Sequence, residues 1–352
     1  MTYLRLAGIL LALPGAGLPR FPPPPNLAID VPNTVPLAPF VLALDPIAPP
    51  PGLANCVVAL GNFDGVHRGH KAVIARARAL AQRLKRPCAV LTFEPHPADY
   101  FAGAPVIFRL TPQAAKARLL ARLGVDGMIA LTFDSGLASL SAEAFVEDIL
   151  VRRLGISAAV AGYDFHFGKG RAGTPAFLAQ AGARLGFAVD IVPKILADAA
   201  GSLDAVSSTA TRAALAAGDV ALARQLLGHD YFVTGPVIAG KQLGRTLGFP
   251  TANMALDASC KLAFGIYAVR VSVNSTTHGG VASFGRRPTF DNGLPLLETF
   301  LFDFSADLYG QDLEVTFVAF LRGEAKFDDV AALVAQMQAD AAHARVLLAN
   351  RA

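Results

Sequence analysis

The sequence predicts an α/β protein of two domains, a parallel-sheet domain followed by a small antiparallel barrel and a closing helix. Three observations predict it. The chain has 352 residues, more than one hydrophobic core usually supports. Between residues 56 and 227, short apolar runs alternate with helical patterns, which implies a parallel sheet covered on both faces. Beyond residue 227, strand-like runs are separated by turn residues rather than helices. Several alternate with period two, as Tyr267, Val269, Val271 and Val273 do, and that rhythm suits a barrel.

Each element follows in order. Strands are expected at residues 56–60, 89–93, 127–132, 158–161 and 188–192. Helical patterns run from about 69 to 85, 144 to 154 and 175 to 185. Thr111 followed by Pro112 opens another helix to about residue 123. Residues 207–227 read as helical and end the first domain, 53–227. In the second domain, 228–349, strands are expected at 231–238, 265–273, 279–284, 297–303 and 313–321. Val330, Leu333, Val334 and Met337 then mark an amphipathic terminal helix.

Composition narrows the class. At 53% hydrophobic and 16% charged, the chain is a packed globular protein rather than a disordered one. A net charge of +4, with no Lys/Arg run interleaved with aromatics, argues against a nucleic-acid partner. Cys56, Cys88 and Cys260 fit no metal or redox spacing and read as reduced thiols. No stretch of about 20 apolar residues is present to span a membrane. Arg5 and the apolar run 6–13 imitate a signal peptide, but the cleavage region is poor and Pro-rich segments follow. The expectation is a poorly ordered extension over residues 1–52 on a cytoplasmic protein, a monomer or weak oligomer.

Ligands of parallel sheets sit at the carboxyl ends of the strands. Residues 61–70, Gly-Asn-Phe-Asp-Gly-Val-His-Arg-Gly-His, lie between the first strand and the first long helix. A helix N-terminus there offers free N–H groups and partial positive charge to a phosphate, and glycines permit close approach. His67 and His70 add donors for charge developing on a leaving pyrophosphate. A metal at these histidines has less support, because no third ligand is near. In the barrel region, Gly240, Gly244 and Gly248 suggest a loop folded over a ligand. Thr251 and Asn253 beyond it offer neutral oxygens to a hard cation such as Mg²⁺. By spacing alone, a Gly-rich connection between barrel strands fits equally.

The stretch 61–70 resembles the signature of the adenylyltransferase domain of prokaryotic bifunctional riboflavin kinase/FAD synthetases. Residues 92–97, 162–171, 207–209 and Arg212 match the same family in the same order. Residues 240–253, 265–269, 280–289, 297–304, 307–310 and 321–327 resemble its riboflavin kinase module. The resemblance covers about residues 53–349. It implies a Rossmann-like nucleotidyltransferase domain followed by a six-stranded flavokinase β-barrel with a terminal helix. The implied enzyme phosphorylates riboflavin with ATP to FMN, then adenylylates FMN to FAD, with Mg²⁺ neutralising the polyphosphate.

The resemblance also implies roles. Asn62, His67, His70, Ser208, Thr209, Arg212, Gly240 and Gly244 would meet ATP phosphates, with the two histidines as catalytic groups. Asp164 and Arg322 would lie near flavin or nucleotide. Thr251 and Asn253 would bind Mg²⁺, and Glu298 would accept the proton of the ribityl 5′-hydroxyl. Plainer readings exist: His96 as a turn residue, Asp164 as a loop cap, Ser208 and Thr209 as helix caps, Glu298 as a strand residue facing solvent. The chain also departs from many relatives. Ala98, His166 and Ala210 stand where basic residues are common, and Ser283 and Phe300 replace a common Asn and His. The missing basic residues leave open a protein that is a riboflavin kinase alone; a non-catalytic flavin-binding regulator is a further alternative.

Overall fold

The computed structural model describes residues 40–194, 206–239, 247–274, 276–286 and 295–351. The first sheet contains β1 (Val41–Leu44), β2 (Val57–Leu60), β3 (Cys88–Glu94), β4 (Gly127–Thr132), β5 (Ala158–Gly162) and β6 (Ala188–Val192). Its order is β1-β4-β3-β2-β5-β6, and every pairing is parallel. β2 and most of β3, β4 and β5 are buried, as helices on both faces require. The chain reverses its direction of travel across the sheet at β2, between β3 and β5, and a crevice opens at the carboxyl ends there.

Helices α1 (Arg68–Leu84), α2 (Pro97–Ala102) and α3 (Gln113–Arg122) follow β2, β3 and the segment before β4. The helix expected at 144–154 is a π-helix, Phe145–Arg153. The continuous helix expected at 207–227 is two, Ser208–Ala216 and Val220–Leu227, parted at Gly218.

Part of the stretch 1–52, expected as a poorly ordered extension, is a strand of the first sheet. β1 pairs with β4 from Val41↔Gly127 to Leu44↔Ala130, and Val41 N–H donates to Asp126 O at 2.9 Å. Four residues of alternating burial before a run of prolines are too short to register as a strand in sequence.

The second sheet is antiparallel, ordered β7 (Phe232–Pro236), β12 (Asp312–Arg322), β9 (Gly265–Val273), β10 (Thr276–Arg286), β11 (Pro295–Leu301) and β8 (Thr251–Ala255). A bridge between Ile238 and Asn253 brings the two edges together into a nearly closed barrel. β8 is the sixth strand, and it occupies a stretch that reads in sequence as the end of a glycine-rich loop. The terminal helix, Val330–Ala349, packs Ala344 and Leu348 against Ala268, Phe302 and Val318 on the barrel's outer face.

The barrel core extends into the first domain without including its sheet. Barrel residues Tyr231, Tyr267 and Phe317 pack in the same cluster as Leu215 and Leu227 from the paired helices and Phe108 and Leu110 from the first domain. Helix α3 adds ion pairs to β12: Arg122 donates to Glu314 through Nη1 and Nη2 at 3.0 and 2.6 Å, and Arg118 meets Asp312 at 3.1 Å. Only Glu314 of these acids is buried. Arg122→Ala would leave that carboxylate without its cation and should lower the unfolding free energy by about 1–3 kcal/mol. Arg118→Ala, at an exposed pair, should cost less than about 0.5 kcal/mol. Urea denaturation of the two variants checks this, and equal losses would contradict it.

Candidate active sites

The loop from β2 into α1 adopts a costly backbone. Phe63 (φ 50°), Gly65 (φ 82°) and Val66 (φ 41°) all lie at positive φ. For a β-branched residue such as Val66 that is a genuine outlier, and it persists only where the surroundings over-determine it. Here they do. The Phe63 and Val66 side chains are sunk in the core. Asp64, 1% exposed, accepts from the Leu110 and Thr111 N–H groups at 3.1 and 2.9 Å and pairs with Arg212 at 2.6 Å. Its own carbonyl accepts from Ser208 Oγ at 2.8 Å, and Gly65 N–H donates to Thr111 Oγ1 at 2.8 Å. A Cβ at Gly65 would lie 2.7 Å from Leu110 Cδ1, so both its φ and its packing require glycine.

This loop delivers His67 to the N-cap of α1, where its Nδ1 accepts from His70 N–H at 3.2 Å. That bond fixes the tautomer: a neutral His67 carries its proton on Nε2. The rings of His67 and His70 stack with centroids 3.6 Å apart. Burial lowers the His67 pKa to about 4, opposed by Asp64 and assisted by Arg212. Burial, then His67, Lys116 and Arg212, hold His70 well below its ordinary value. The pair is therefore neutral at pH 7, a set of N–H donors rather than of cations. The Nδ1 of His70 is buried without a partner among the described residues.

Both histidines line a cavity of about 1030 Å³. Asn62, His96, Asp164, Ser208, Thr209 and Arg212 line it too, so the sequence-predicted residues of the first domain converge there. Two helix N-termini face it, those of α1 and of Ser208–Ala216, neither with an acidic residue in its first turn. Phe93, Phe101, Phe133, Phe145 and Phe167 form an aromatic wall. The lining thus combines groups suited to a polyphosphate with aromatic surface suited to a planar ring system.

Several assignments are refined. Ser207, not Ser208 or Thr209, caps its helix by accepting from Ala210 N–H at 3.1 Å. Ser208 Oγ is spent on the Asp64 carbonyl. Arg212 is anchored by Asp64 and by Phe108 O, the latter at 2.7 Å. His96 is both a turn residue and a wall residue: it caps α2 through Nδ1, accepting from Ala98 N–H at 3.1 Å.

In the barrel, register does the assembling. Asn253, Glu298, Ser283 and Ile266 are successive partners across β8, β11, β10 and β9, and directly opposed residues share a face. Their neighbours Met254, Leu297 and Phe284 fill the barrel core, so Asn253 and Glu298 sit together on the outer face. Thr251 lies two residues along on that face, opposite Phe300. Asn253 Oδ1 is buried without a hydrogen-bond partner among the described residues. An orphaned amide oxygen beside a carboxylate and a threonine is a donor set suited to a hard cation. Gly240 and Gly244 lie outside the described residues. Arg322, expected near flavin or nucleotide, is held by Asp340 of the terminal helix at 2.7–3.2 Å, and that carboxylate is buried.

Comparison with known proteins decides the family. The FAD synthetase sequence profile matches residues 50–210 and the riboflavin kinase profile matches residues 227–348. The chain belongs to the bifunctional riboflavin kinase/FMN adenylyltransferase family. The Haemophilus influenzae enzyme of that name is 42% identical over 289 residues, covering 82% of this chain and 92% of the relative. The Pseudomonas fluorescens enzyme is 43% identical, covering 85% and 94%. A Streptococcus pneumoniae chain, crystallised under the name macrolide-efflux protein, superposes with TM-score 0.72 at 34% identity, covering 84% of this chain and 97% of that one. No helix among the described residues here is long and apolar enough to cross a membrane. As a bifunctional riboflavin kinase/FMN adenylyltransferase, this protein converts riboflavin to FMN and FMN to FAD with ATP.

Sequence reasoning missed the buried groups behind the first site. Asp64 was inside the recognised motif without a role. Lys116 sits on the buried face of α3 with Ala115, Leu119 and Leu120, a lone lysine in an apolar stripe that is itself a signal. For His67, the folded pKa of about 4 lies below the ordinary value near 6.5, so the unfolded chain binds the extra proton between those values. Stability should therefore fall as pH drops from about 6.5 to 4. His67→Asn keeps a capping oxygen and removes the titration. Relative to that variant, the wild type should lose up to about 3 kcal/mol of unfolding free energy across the window. Parallel curves for the two proteins would refute the assignment.

Proposed function

We propose that the two reactions run at separate sites, adenylyl transfer in the α/β cavity and riboflavin phosphorylation on the outer face of the barrel. In the first, an FMN phosphate oxygen attacks the α-phosphorus of ATP in line, the α–β bridging bond breaks and pyrophosphate leaves. The nucleophile is already ionised at neutral pH, so no base is needed. The protein supplies position and charge stabilisation. His67 and His70 donate N–H groups to the polyphosphate, alongside the helix N-termini and Arg212. The convergence of the loop histidines, two unneutralised helix ends and an aromatic wall on one cavity carries this reading.

In the second, the ribityl 5′-hydroxyl must lose a proton as it attacks the γ-phosphorus of ATP, and ADP leaves. Glu298 accepts that proton. Thr251 and Asn253 are the residues that would hold Mg²⁺ with the nucleotide, Asn253 through its unpartnered Oδ1. The cation would supply charge neutralisation to the transferring phosphoryl group. The register pairing of Asn253 with Glu298 carries this assignment.

Riboflavin, ATP and Mg²⁺ incubated with the purified protein should yield FMN and then FAD, resolved by chromatography. His70→Ala should slow FAD formation about 10²–10³-fold while FMN still forms. Glu298→Ala should slow FMN formation about 10²–10⁴-fold and spare the adenylylation of supplied FMN. Loss of both activities in either variant, with the fold intact, would contradict the two-site assignment.

A further inference from the structure

The loop carrying the histidines has one anchor that the mechanism above leaves unused. Lys116 is 1% exposed, and its ammonium donates to Thr92 Oγ1 at 3.1 Å and to Glu94 Oε1 at 3.2 Å. Thr92, on β3 and fully buried, donates in turn to the carbonyl of Asn62 at 2.9 Å. Glu94 is itself gripped by Arg109, whose Nη2 lies 2.6 Å from each carboxylate oxygen.

The direction of this chain is forced by chemistry. An ammonium can only donate, so Thr92 Oγ1 must accept from Lys116. The hydroxyl has one proton, and the Asn62 carbonyl is where it goes. Asn62 lines the cavity and immediately precedes Phe63, the first residue of the loop at positive φ. Asp64 pins the loop from the α3 side and from the helix Ser208–Ala216; the Thr92 hydroxyl pins its start from the sheet.

We propose that Lys116 and Thr92 are positioning residues of the adenylyl-transfer site, a buried relay that fixes the Asn62 carbonyl and so the path by which the loop presents its N–H groups and His67 to ATP. This rests on the assignment of adenylyl transfer to the cavity. The relay touches no substrate, so its loss acts through the loop, on ATP binding before chemistry.

Thr92→Val keeps the shape of the side chain and removes the hydroxyl; Thr92→Ser keeps the hydroxyl. With FMN supplied, Thr92→Val should raise the KM for ATP in FAD formation at least fivefold and lower kcat no more than threefold. Thr92→Ser should restore both to within twofold of wild type. Riboflavin phosphorylation, measured on the same samples, should stay within twofold throughout and so reports an intact fold. Lys116→Met should reproduce Thr92→Val; should it fail to fold, the threonine pair decides. An unchanged KM in Thr92→Val, failure of serine to rescue it, or a parallel loss of both activities would overturn the relay. If the wild type forms FMN but no FAD, the underlying assignment falls with it, an outcome distinct from the others.

Discussion

The carboxylate of Asp64 has almost no access to water, so protein groups must fill its oxygens. The groups that do so come from two separate segments, residues 110–111 and the helix bearing Arg212, and a third bond ties Ser208 to its carbonyl. The strained turn through Phe63 and Val66 cannot persist until those segments are in place. The same residues link the domains, because Phe108 and Leu110 share a core with Tyr231 and Phe317 of the barrel. The turn through Phe63 and Val66 and the barrel are therefore braced by the same stretch, residues 108–111.

The two sites obtain their geometry by different means. The first is set by chain termini of secondary structure, a strand end and two helix starts, whose free N–H groups are available to an anion. The second is set by strand register. A one-residue slip of β8 against β11 would turn Asn253 into the core and bring Met254 out opposite Glu298. Met254, Leu297 and Phe284 resist that slip, so the apolar interior of the barrel guards the polar arrangement outside it.

Much of this was legible in the sequence. Strands such as Gly127–Thr132 and Ala188–Val192, and the helix Pro175–Leu185, fall where periodicity and capping place them. β1 and β8 did not show, since each is only four or five residues long beside prolines or glycines and gains its strand character from a neighbour. The site residues were legible as motifs, but not their partners. That Ser207 caps while Ser208 braces Asp64, or that Arg322 is bound to Asp340 eighteen residues away, depends on contacts no local pattern encodes.

The departures from the family's basic residues acquire a physical meaning from the charges that remain. Two stacked imidazoles 3.6 Å apart could not both be cations without repelling, and burial keeps them neutral. Fixed positive charge at the cavity lies instead in Arg212, paired with Asp64, while Arg109 and Lys116 are paired with Glu94 behind the lining. Arg171 and Lys194 stand at the cavity lining. Ala98 and His166 line the same cavity, whereas Ala210 packs beside Val206 and Leu226. Outer charges act through solvent and govern capture of ATP, with strong dependence on salt. Charges and dipoles fixed in a water-poor floor act on the transition state without reorganising. On that reasoning a replacement in the outer lining is expected to change substrate affinity before it changes the step itself.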